Sequence, residues 1–360
     1  MKKTILMTLA CVVLMSGVAR AAEWYEKIKL GGDFRHRYET IRDDSKDADR
    51  HRWRIRARLM LTAAVNDEVK IGLRLATGSD DPVSTNQTLS GAFSTKGYHL
   101  DLAYLEYSPK AVDGFHFIGG KMKLPFARPQ KTQLIFDGDL SPEGMAVKFG
   151  HSPGENFAFF INGAALSVIE NSGGDDIWLF GGQAGIEVEP SETAHMMLGG
   201  SWYGYENIKG AGALYDGDFF GNSHEDDAFV TGYRLFEVLG EVGFKMDRVS
   251  IVAYGDYVTN TDADSLNTGW LFGAAISHGK GRGGIKVFGN YRKLERDAVV
   301  GTYADSDFAG GGTDGEGVKA GLSYGLLEKV DVAATLFVNK KGIEDEVDYT
   351  RLQVDLKMKF

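Results

Sequence analysis

From residue 350 to residue 360, the chain alternates between a mainly apolar and a polar side chain at every position. Successive side chains of a β-strand point to opposite faces of a sheet, so this pattern predicts a strand with one apolar and one wet face. An amphipathic helix would repeat about every 3.6 residues instead. The chain therefore contains at least one strand that separates water from an apolar phase, as in a β-sandwich or a membrane barrel.

The same period of two residues recurs along the whole chain. It is clear in residues 52–61, 318–325 and 330–339, and similar segments begin near positions 27, 68, 99, 115, 144, 156, 177, 194, 235, 248, 269 and 285. With the final strand, this predicts about sixteen strands, an even number as in single-chain bacterial barrels. All seven prolines fall between these segments, where no ladder hydrogen bond is lost.

The predicted connections alternate between short and long. The short ones are 66–67, 247–248, 279–283 and 327–328, and the long ones include 41–50, 78–97, 124–142, 206–232 and 297–315. Outer-membrane barrels alternate short periplasmic turns with longer extracellular loops in this way. We therefore predict an all-β fold, a transmembrane antiparallel β-barrel with short periplasmic turns, long extracellular loops and both ends on the periplasmic side.

The first 21 residues have the pattern of a secretory signal peptide. Lys2 and Lys3 precede an apolar run over residues 5–15, and residues 19–21 offer the small-x-small pattern of a cleavage site. The sequence thus predicts a signal peptide at 1–21 and a barrel at 22–360. The single cysteine, Cys11, lies in the signal, so the barrel is expected to have no thiol or disulfide.

Composition excludes several kinds of partner. The formal net charge of −10 leaves no basic excess for displacing phosphate counterions, so we expect no nucleic acid. The eight histidines are scattered without a pair at metal-ligand spacing on one face, so no metal site and no cofactor are predicted.

Basic side chains cluster at the polar positions of the first three strands. The members of this arginine wall are Arg35, Arg37, Arg52, Arg54, Arg56, Arg58, Lys70 and Arg74. An arginine that faces lipid near the midplane costs about 2–4 kcal/mol, so the wall must face a wet lumen. Like charges on paired strands repel, so the wall needs an anionic ligand or counter-charges, some of which Asp33 and Glu39 supply.

The connection at 124–142 follows the fifth predicted strand, and it is expected to fold into the barrel as a constriction loop. Its Asp137 and Asp139, with Glu143 just beyond, would then face the arginine wall. The resulting transverse field would orient and sieve small solutes. The alternative is that the arginines form ordinary solvated ion pairs in a wide lumen.

Two segments beside this connection resemble motifs of known families. Residues 119–126, GGKMKLPF, resemble a segment of the phosphate-selective porin group, and residues 136–144, FDGDLSPEG, resemble one of the bacterial putative porin family. The terminal Phe360 after an alternating strand resembles the signal that the barrel assembly machinery reads. Together these similarities cover the chain from its signal to its last residue.

The resemblance implies an outer-membrane porin of a Gram-negative bacterium, a homotrimer that lets small hydrophilic solutes or ions diffuse passively. Further bases of the pore would be Lys121, Lys123, Arg128 and Lys131, and acids nearby balance them, so the resemblance does not identify the solute. The barrel would contact outer-membrane lipid and lipopolysaccharide, the latter through acidic loop residues such as those at 225–227.

Two other functions fit a barrel of this kind. A surface adhesin or anchor would use the acidic loops. An outer-membrane enzyme of the phospholipase type would need a serine, a histidine and an acid or amide on the outer wall. No segment presents such a set recognisably, and we therefore predict that the chain is not an enzyme.

Overall fold

Nineteen strands and three short 3-10 helices make up the regular structure of residues 27–360, the range that the computed structural model describes. The predicted signal peptide at 1–21 lies outside this range. Sixteen of the strands pair in antiparallel order and close into a barrel, in which the last strand pairs with the first. They are β1 (Ile28–Asp43), β2 (Arg50–Ala64), β3 (Val69–Thr77), β5 (Tyr98–Tyr107), β6 (Phe115–Lys121), β7 (Glu143–Gly154), β8 (Phe157–Ile169), β9 (Ile177–Ser191), β10 (Ala194–Glu206), β13 (Tyr233–Met246), β14 (Val249–Asn260), β15 (Thr268–His278), β16 (Ile285–Leu294), β17 (Gly315–Leu327), β18 (Val330–Lys341) and β19 (Val347–Lys359).

Three two-residue strands lie in the connections: β4 (Gln87–Thr88), β11 (His224–Glu225) and β12 (Ala228–Phe229). Strand β4 pairs with β2, whereas β11 and β12 pair with each other. No helix among residues 27–360 is long and apolar enough to cross a membrane.

The two faces of the barrel differ in chemistry as the alternation predicts. Along β19, Arg351, Gln353 and Asp355 are buried and point inward, whereas Leu352 and Val354 are exposed on the outer wall. The same alternation gives most other strands an exposed apolar outer face. Water-soluble monomers rarely expose so large an apolar surface, which suits a barrel surrounded by lipid. The predicted fold class is therefore confirmed.

The connections alternate in length around the barrel. The short turns are 65–68, 108–114, 155–156, 192–193, 247–248, 279–284 and 328–329, and the longer loops are 44–49, 78–97, 122–142, 170–176, 207–232, 261–267, 295–314 and 342–346. The start of β1 and the end of β19 lie together at the short-turn end, where the Gly32 amide donates to the Phe360 carbonyl at 3.2 Å.

The main hydrophobic core lies inside the barrel and not on its outer wall. It joins the loops 122–142, 207–232 and 295–314 to the inner faces of β8–β10 and β13–β16. Val299 and Val300 of the third loop are buried in the same cluster as Phe219 and Phe229 of the second. Three loops therefore contribute to the inner core, where the sequence pattern predicted one inward loop.

Candidate functional site in the lumen

The arginine wall places like charges directly opposite one another on paired strands. In the register of β1 with β2, Arg35 faces Arg56 and Arg37 faces Arg54. Two carboxylates of β1 flank these pairs, because Asp33 faces Arg58 and Glu39 faces Arg52. The sequence prediction that Asp33 and Glu39 supply local counter-charges agrees with this register.

Glu39 is the centre of the upper half of the wall, towards the longer loops. It is fully buried, and its carboxylate lies 2.7 Å from Nη2 of Arg351 and 3.5 Å from Nη1 of Arg54. Arg52 also donates to it through Nε. One carboxylate thus holds three guanidinium groups from β2 and β19 together.

Asp33 and Asp139 hold guanidinium groups together in the lower half of the arginine wall, towards the short turns. Asp33 accepts from Nη2 of Arg56 at 2.9 Å and from Nε of Arg58 at 2.7 Å. Asp139, from the loop 122–142, lies 3.4 Å from Nη1 of each of these arginines and accepts from the Thr85 hydroxyl at 3.1 Å. The loop therefore reaches the arginine wall through Asp139.

The two acids of this loop have different surroundings. Burial favours protonation of both, but Arg56, Arg58 and Arg35 together with the Thr85 amide hold the pKa of Asp139 below its usual value. Asp137 contacts Ser306, whose amide donates to it at 2.9 Å and whose hydroxyl donates at 3.1 Å. Its pKa is raised by burial and by the nearby carboxylates of Asp305 and Asp139. Asp137 thus faces the loop 295–314 and not the arginine wall.

The loop 122–142 also contacts the far side of the barrel. Thr132 donates to Asp256 of β14 at 2.8 Å, and the backbone amide of Gln130 donates to Glu241 of β13 at 2.8 Å. Strand β13 is the tenth of the sixteen barrel strands and β2 is the second, so the two lie on opposite sides of the ring. The loop therefore spans the lumen from wall to wall.

Asp307 of the loop 295–314 completes the wall, although the sequence pattern does not predict it. It lies 2.7 Å from Nη2 of Arg351 and 3.4 Å from Nη1 of Arg37. The need of clustered arginines for more counter-charge was the only sequence signal for such a residue, and that signal does not say which loop supplies it.

The remaining predicted residues lie at the edges of this arrangement. Their contacts are Lys70 with Glu106 at 2.8 Å, Arg74 with Asp101, Lys121 with Glu143 at 2.8 Å, and Arg128 with the carbonyl of Phe136 at 2.7 Å. Within residues 27–360, Arg35, Lys123 and Lys131 have no carboxylate within 4.0 Å, although Arg35 donates to the Asn86 side chain. Phe360 follows the end of β19 beside Gly32, and it stays largely exposed at the short-turn end.

One cluster has the residue types of a hydrolase but not the geometry. The Ser108 hydroxyl lies 2.8 Å from Nδ1 of His116, and Glu106 lies 3.0 Å from the same nitrogen. A catalytic triad needs the serine on one ring nitrogen and the acid on the other, so that the imidazole can relay a proton. This cluster does not activate a nucleophile in the arrangement seen.

The fold agrees with that of known porins. The chain is similar to OprB of Pseudomonas putida, with 10% identity, a TM-score of 0.62 and coverage of 93% of this chain and 94% of the other. It is similar to OmpF of Salmonella typhi, solved in complex with daunomycin, with 12% identity, a TM-score of 0.60 and coverage of 92% and 97%. It is also similar to a triple mutant of the Rhodopseudomonas blastica porin, with 11% identity, a TM-score of 0.51 and coverage of 92% of this chain and 100% of the other.

A family model gives the sequence-level evidence. Residues 42–231 and 233–360 match the model of the family described as "Putative porin", whereas no curated protein sequence matches the chain. The match includes β2 to β19 and all three inward loops. The resemblance that residues 136–144 predicted is therefore confirmed, and that of residues 119–126 to the phosphate-selective group is not. The chain belongs to the putative porin family and is a porin.

Proposed function

We propose that this porin lets small hydrophilic solutes and ions diffuse passively, and that the loop 122–142 narrows its lumen. The observation that carries the proposal is the crossing of the lumen by this loop, from Arg56 and Arg58 on β2 to Glu241 on β13. A chain segment held at both walls removes free cross-section from the barrel. Solutes must pass beside it.

The charges at this crossing support a role in selecting solutes. Asp139 on the loop and the guanidinium groups of Arg56 and Arg58 set opposite charges a few ångströms apart. A polar solute that passes between fixed charges of opposite sign is oriented by their field, and ions of either sign are attracted to one side. Because acids neutralise most of the wall, we expect weak net selectivity at this level.

Planar-bilayer recording tests the constriction. Replacing residues 127–135 by two glycines removes the part of the loop that reaches β13, so we expect a conductance several times that of the natural chain. The matched control shortens the exposed loop 44–49 and should leave conductance unchanged. Heat-modified mobility on gels checks that each barrel is folded. An unchanged conductance after the first deletion would show that the loop does not narrow the channel.

We also propose the cellular setting that the sequence predicts. The chain would be exported by a signal peptide at 1–21, assembled through Phe360 by the barrel machinery, and inserted as a homotrimer among outer-membrane lipid and lipopolysaccharide. The exposed apolar outer face supports insertion into lipid. Membrane fractionation and cross-linking of the wild-type protein and of a variant without Phe360 test this. Unaltered insertion of the variant would exclude the assembly role.

We propose that the channel has no enzymatic activity. The serine, histidine and glutamate at Ser108, His116 and Glu106 share one ring nitrogen, which supports this proposal. A phospholipase assay on the purified, folded barrel tests it. Hydrolysis that Ser108→Ala abolishes would refute it.

A further inference from the structure

A cavity of about 270 Å³ inside the barrel carries an excess of positive charge. It is bounded by the loops 122–142 and 295–314 and by the inner faces of β14 to β19. Its charged lining consists of Lys131, Lys286, Arg292, Lys319, Lys357 and Asp305. Five cations thus surround one carboxylate, in a chain whose formal net charge is −10.

The single carboxylate is already shared by two of the cations. Asp305 lies 3.1 Å from Nζ of Lys319 and 3.8 Å from Nη1 of Arg292. Both Arg292 and Asp305 are buried, so their ion pair is a fixed part of the cavity lining. It cannot also neutralise the three remaining lysines.

Those three lysines have little compensation. Lys286 Nζ contacts the amide oxygen of Gln130 at 3.2 Å, and Lys131 has no carboxylate within 4.0 Å among the described residues. Lys357 lies 3.4 Å from Asp355, but that carboxylate is already bound at two points by Arg37. The cavity therefore holds positive charge that a mobile anion can balance.

The cavity is also partly apolar. Leu271, Ala275, Phe308 and Ala333 contribute buried hydrocarbon between the charged groups. A simple inorganic anion gains nothing from such a surface, whereas a short hydrocarbon chain does. The lining therefore suits a ligand with anionic ends and an apolar middle.

The spacing of the lysines suits two anionic groups on one molecule. Lys286 is on β16 and Lys357 is on β19, strands that lie three spacings or roughly 14 Å apart across the sheet, and Lys357 is two residues beyond Asp355, the residue in register with Lys286. Both side chains line the same cavity from its two sides, with Lys131 on the loop above. A solute that lies in the cavity can therefore contact both ammonium groups.

We propose that this cavity is a binding subsite for small dicarboxylates on their way through the channel. The inference rests on the proposed function, because the ligand must enter from the lumen. Lys286 and Lys357 bind the two carboxylates, and Lys131 adds charge from the loop. Conduction requires binding that is favourable enough to draw the solute in and weak enough to release it.

The test is a bilayer recording of chloride current with succinate as the probe. Succinate should reduce the current through the natural protein in a saturable way, and uncharged succinamide, of the same length, should not. In the variant Lys286→Gln/Lys357→Gln we expect at least a tenfold higher succinate concentration for half-reduction. Lys148→Gln removes an inward lysine outside the cavity and should leave the succinate effect unchanged.

The outcomes separate the subsite from the channel. If the folded protein forms no channel, the proposed function fails. If it conducts but succinate and succinamide act equally, the subsite is refuted and the channel remains. That comparison needs only the natural protein, so it decides the question even if the double variant does not fold. A succinate effect equally strong in the folded double variant would also refute the subsite.

Discussion

Arg37 in the first barrel strand and Asp355 in the last form a two-point ion pair across the seam where the barrel closes. Nε of Arg37 lies 2.7 Å from Oδ1 of Asp355, and Nη2 lies 3.0 Å from Oδ2. The two residues are directly paired in the register of β1 with β19. Only 5% and 2% of their side-chain surfaces are exposed, so water screens this pair little.

Breaking this pair should destabilise the closed barrel. In Asp355→Asn, Arg37 keeps an ion pair only with Asp307, at 3.4 Å, and removing the nearer counter-charge of a buried cation costs up to about 3 kcal/mol. We expect a lower midpoint of urea unfolding in detergent, measured by heat-modified gel mobility. Asp44→Asn, which breaks an exposed pair with Arg42, is the control and should leave the midpoint nearly unchanged. Equal midpoints for both variants would contradict the role of the seam pair.

Two glycines at the neck of the loop 122–142 should be irreplaceable. Gly120 and Gly144 face each other in the register of β6 with β7, with φ of 116° and 141°. A Cβ at either position would collide with a carbonyl oxygen of the neighbouring strand. Alanine at either site adds this clash to a backbone strain of about 1–3 kcal/mol, so we expect a poor yield of folded barrel.

The matched control is Gly182→Ala on the outer face of β9, where a Cβ would meet nothing within 4 Å. Folding yield from urea into detergent micelles measures all three variants. A normal yield for Gly120→Ala, equal to that of the control, would show that the neck tolerates a side chain.

The neck also explains why two separate sequence motifs flank the loop. Residues 119–126 contain Gly120 and residues 136–144 contain Gly144, and the Met122 amide donates to the Pro142 carbonyl at 2.8 Å just beyond the paired glycines. The motifs that predicted the family are thus the two sides of one structural element. Spacing alone could not show that they meet.

The strands were predictable because each repeats a pattern of period two. Burial in β19 alternates from Tyr349 to Asp355 as the sequence does, and every predicted strand start lies within a few residues of a barrel strand. The alternation of a barrel strand is visible in its local sequence, because each residue of the strand faces either the wet lumen or the lipid. The number of strands and the lengths of the connections follow from the same alternation.

The interior was less predictable because loops have no period. Asp137 and Asp139 are two residues apart in one loop, yet the first contacts Ser306 and the second contacts the arginine wall. Asp307 reaches Arg37 across 270 residues of sequence. Such contacts depend on how three loops pack together inside the barrel, which alternation does not encode.

Acid should loosen the loop 295–314. Burial alone would raise the pKa of Asp307, but Arg351 and Arg37 hold it well below the usual 3.8. A carboxyl whose pKa is lowered by folding stabilises the folded state above its unfolded pKa and loses this contribution as pH falls through the folded pKa. We therefore expect stable single-channel currents above about pH 4 and growing fluctuation as pH falls further.

Asp307→Asn should show the same fluctuation at neutral pH, because the neutral amide forms no ion pair. Glu344→Gln, an exposed acid in the loop 342–346, is the control and should behave as the natural protein does. Currents that stay stable in Asp307→Asn at pH 7 would refute the role of Asp307 in holding the loop.

An aromatic contact should hold the loop 122–142 against the barrel wall independently of its charges. Phe136 packs edge-on against Tyr203 of β10 with ring centroids 5.2 Å apart, and Phe126 packs against the same tyrosine at 4.9 Å. Phe136 is buried, so Phe136→Ala removes about 3 kcal/mol of packing energy from the loop. The hydrogen bonds between the barrel strands are not affected. The barrel should fold, while trypsin gains access to Arg128 and Lys131 and open-channel noise rises. Phe93→Ala, at a fully exposed ring in another loop, should change neither. If Phe136→Ala leaves cleavage and noise as they are, the ion pairs of Asp139 alone are enough to fix the loop.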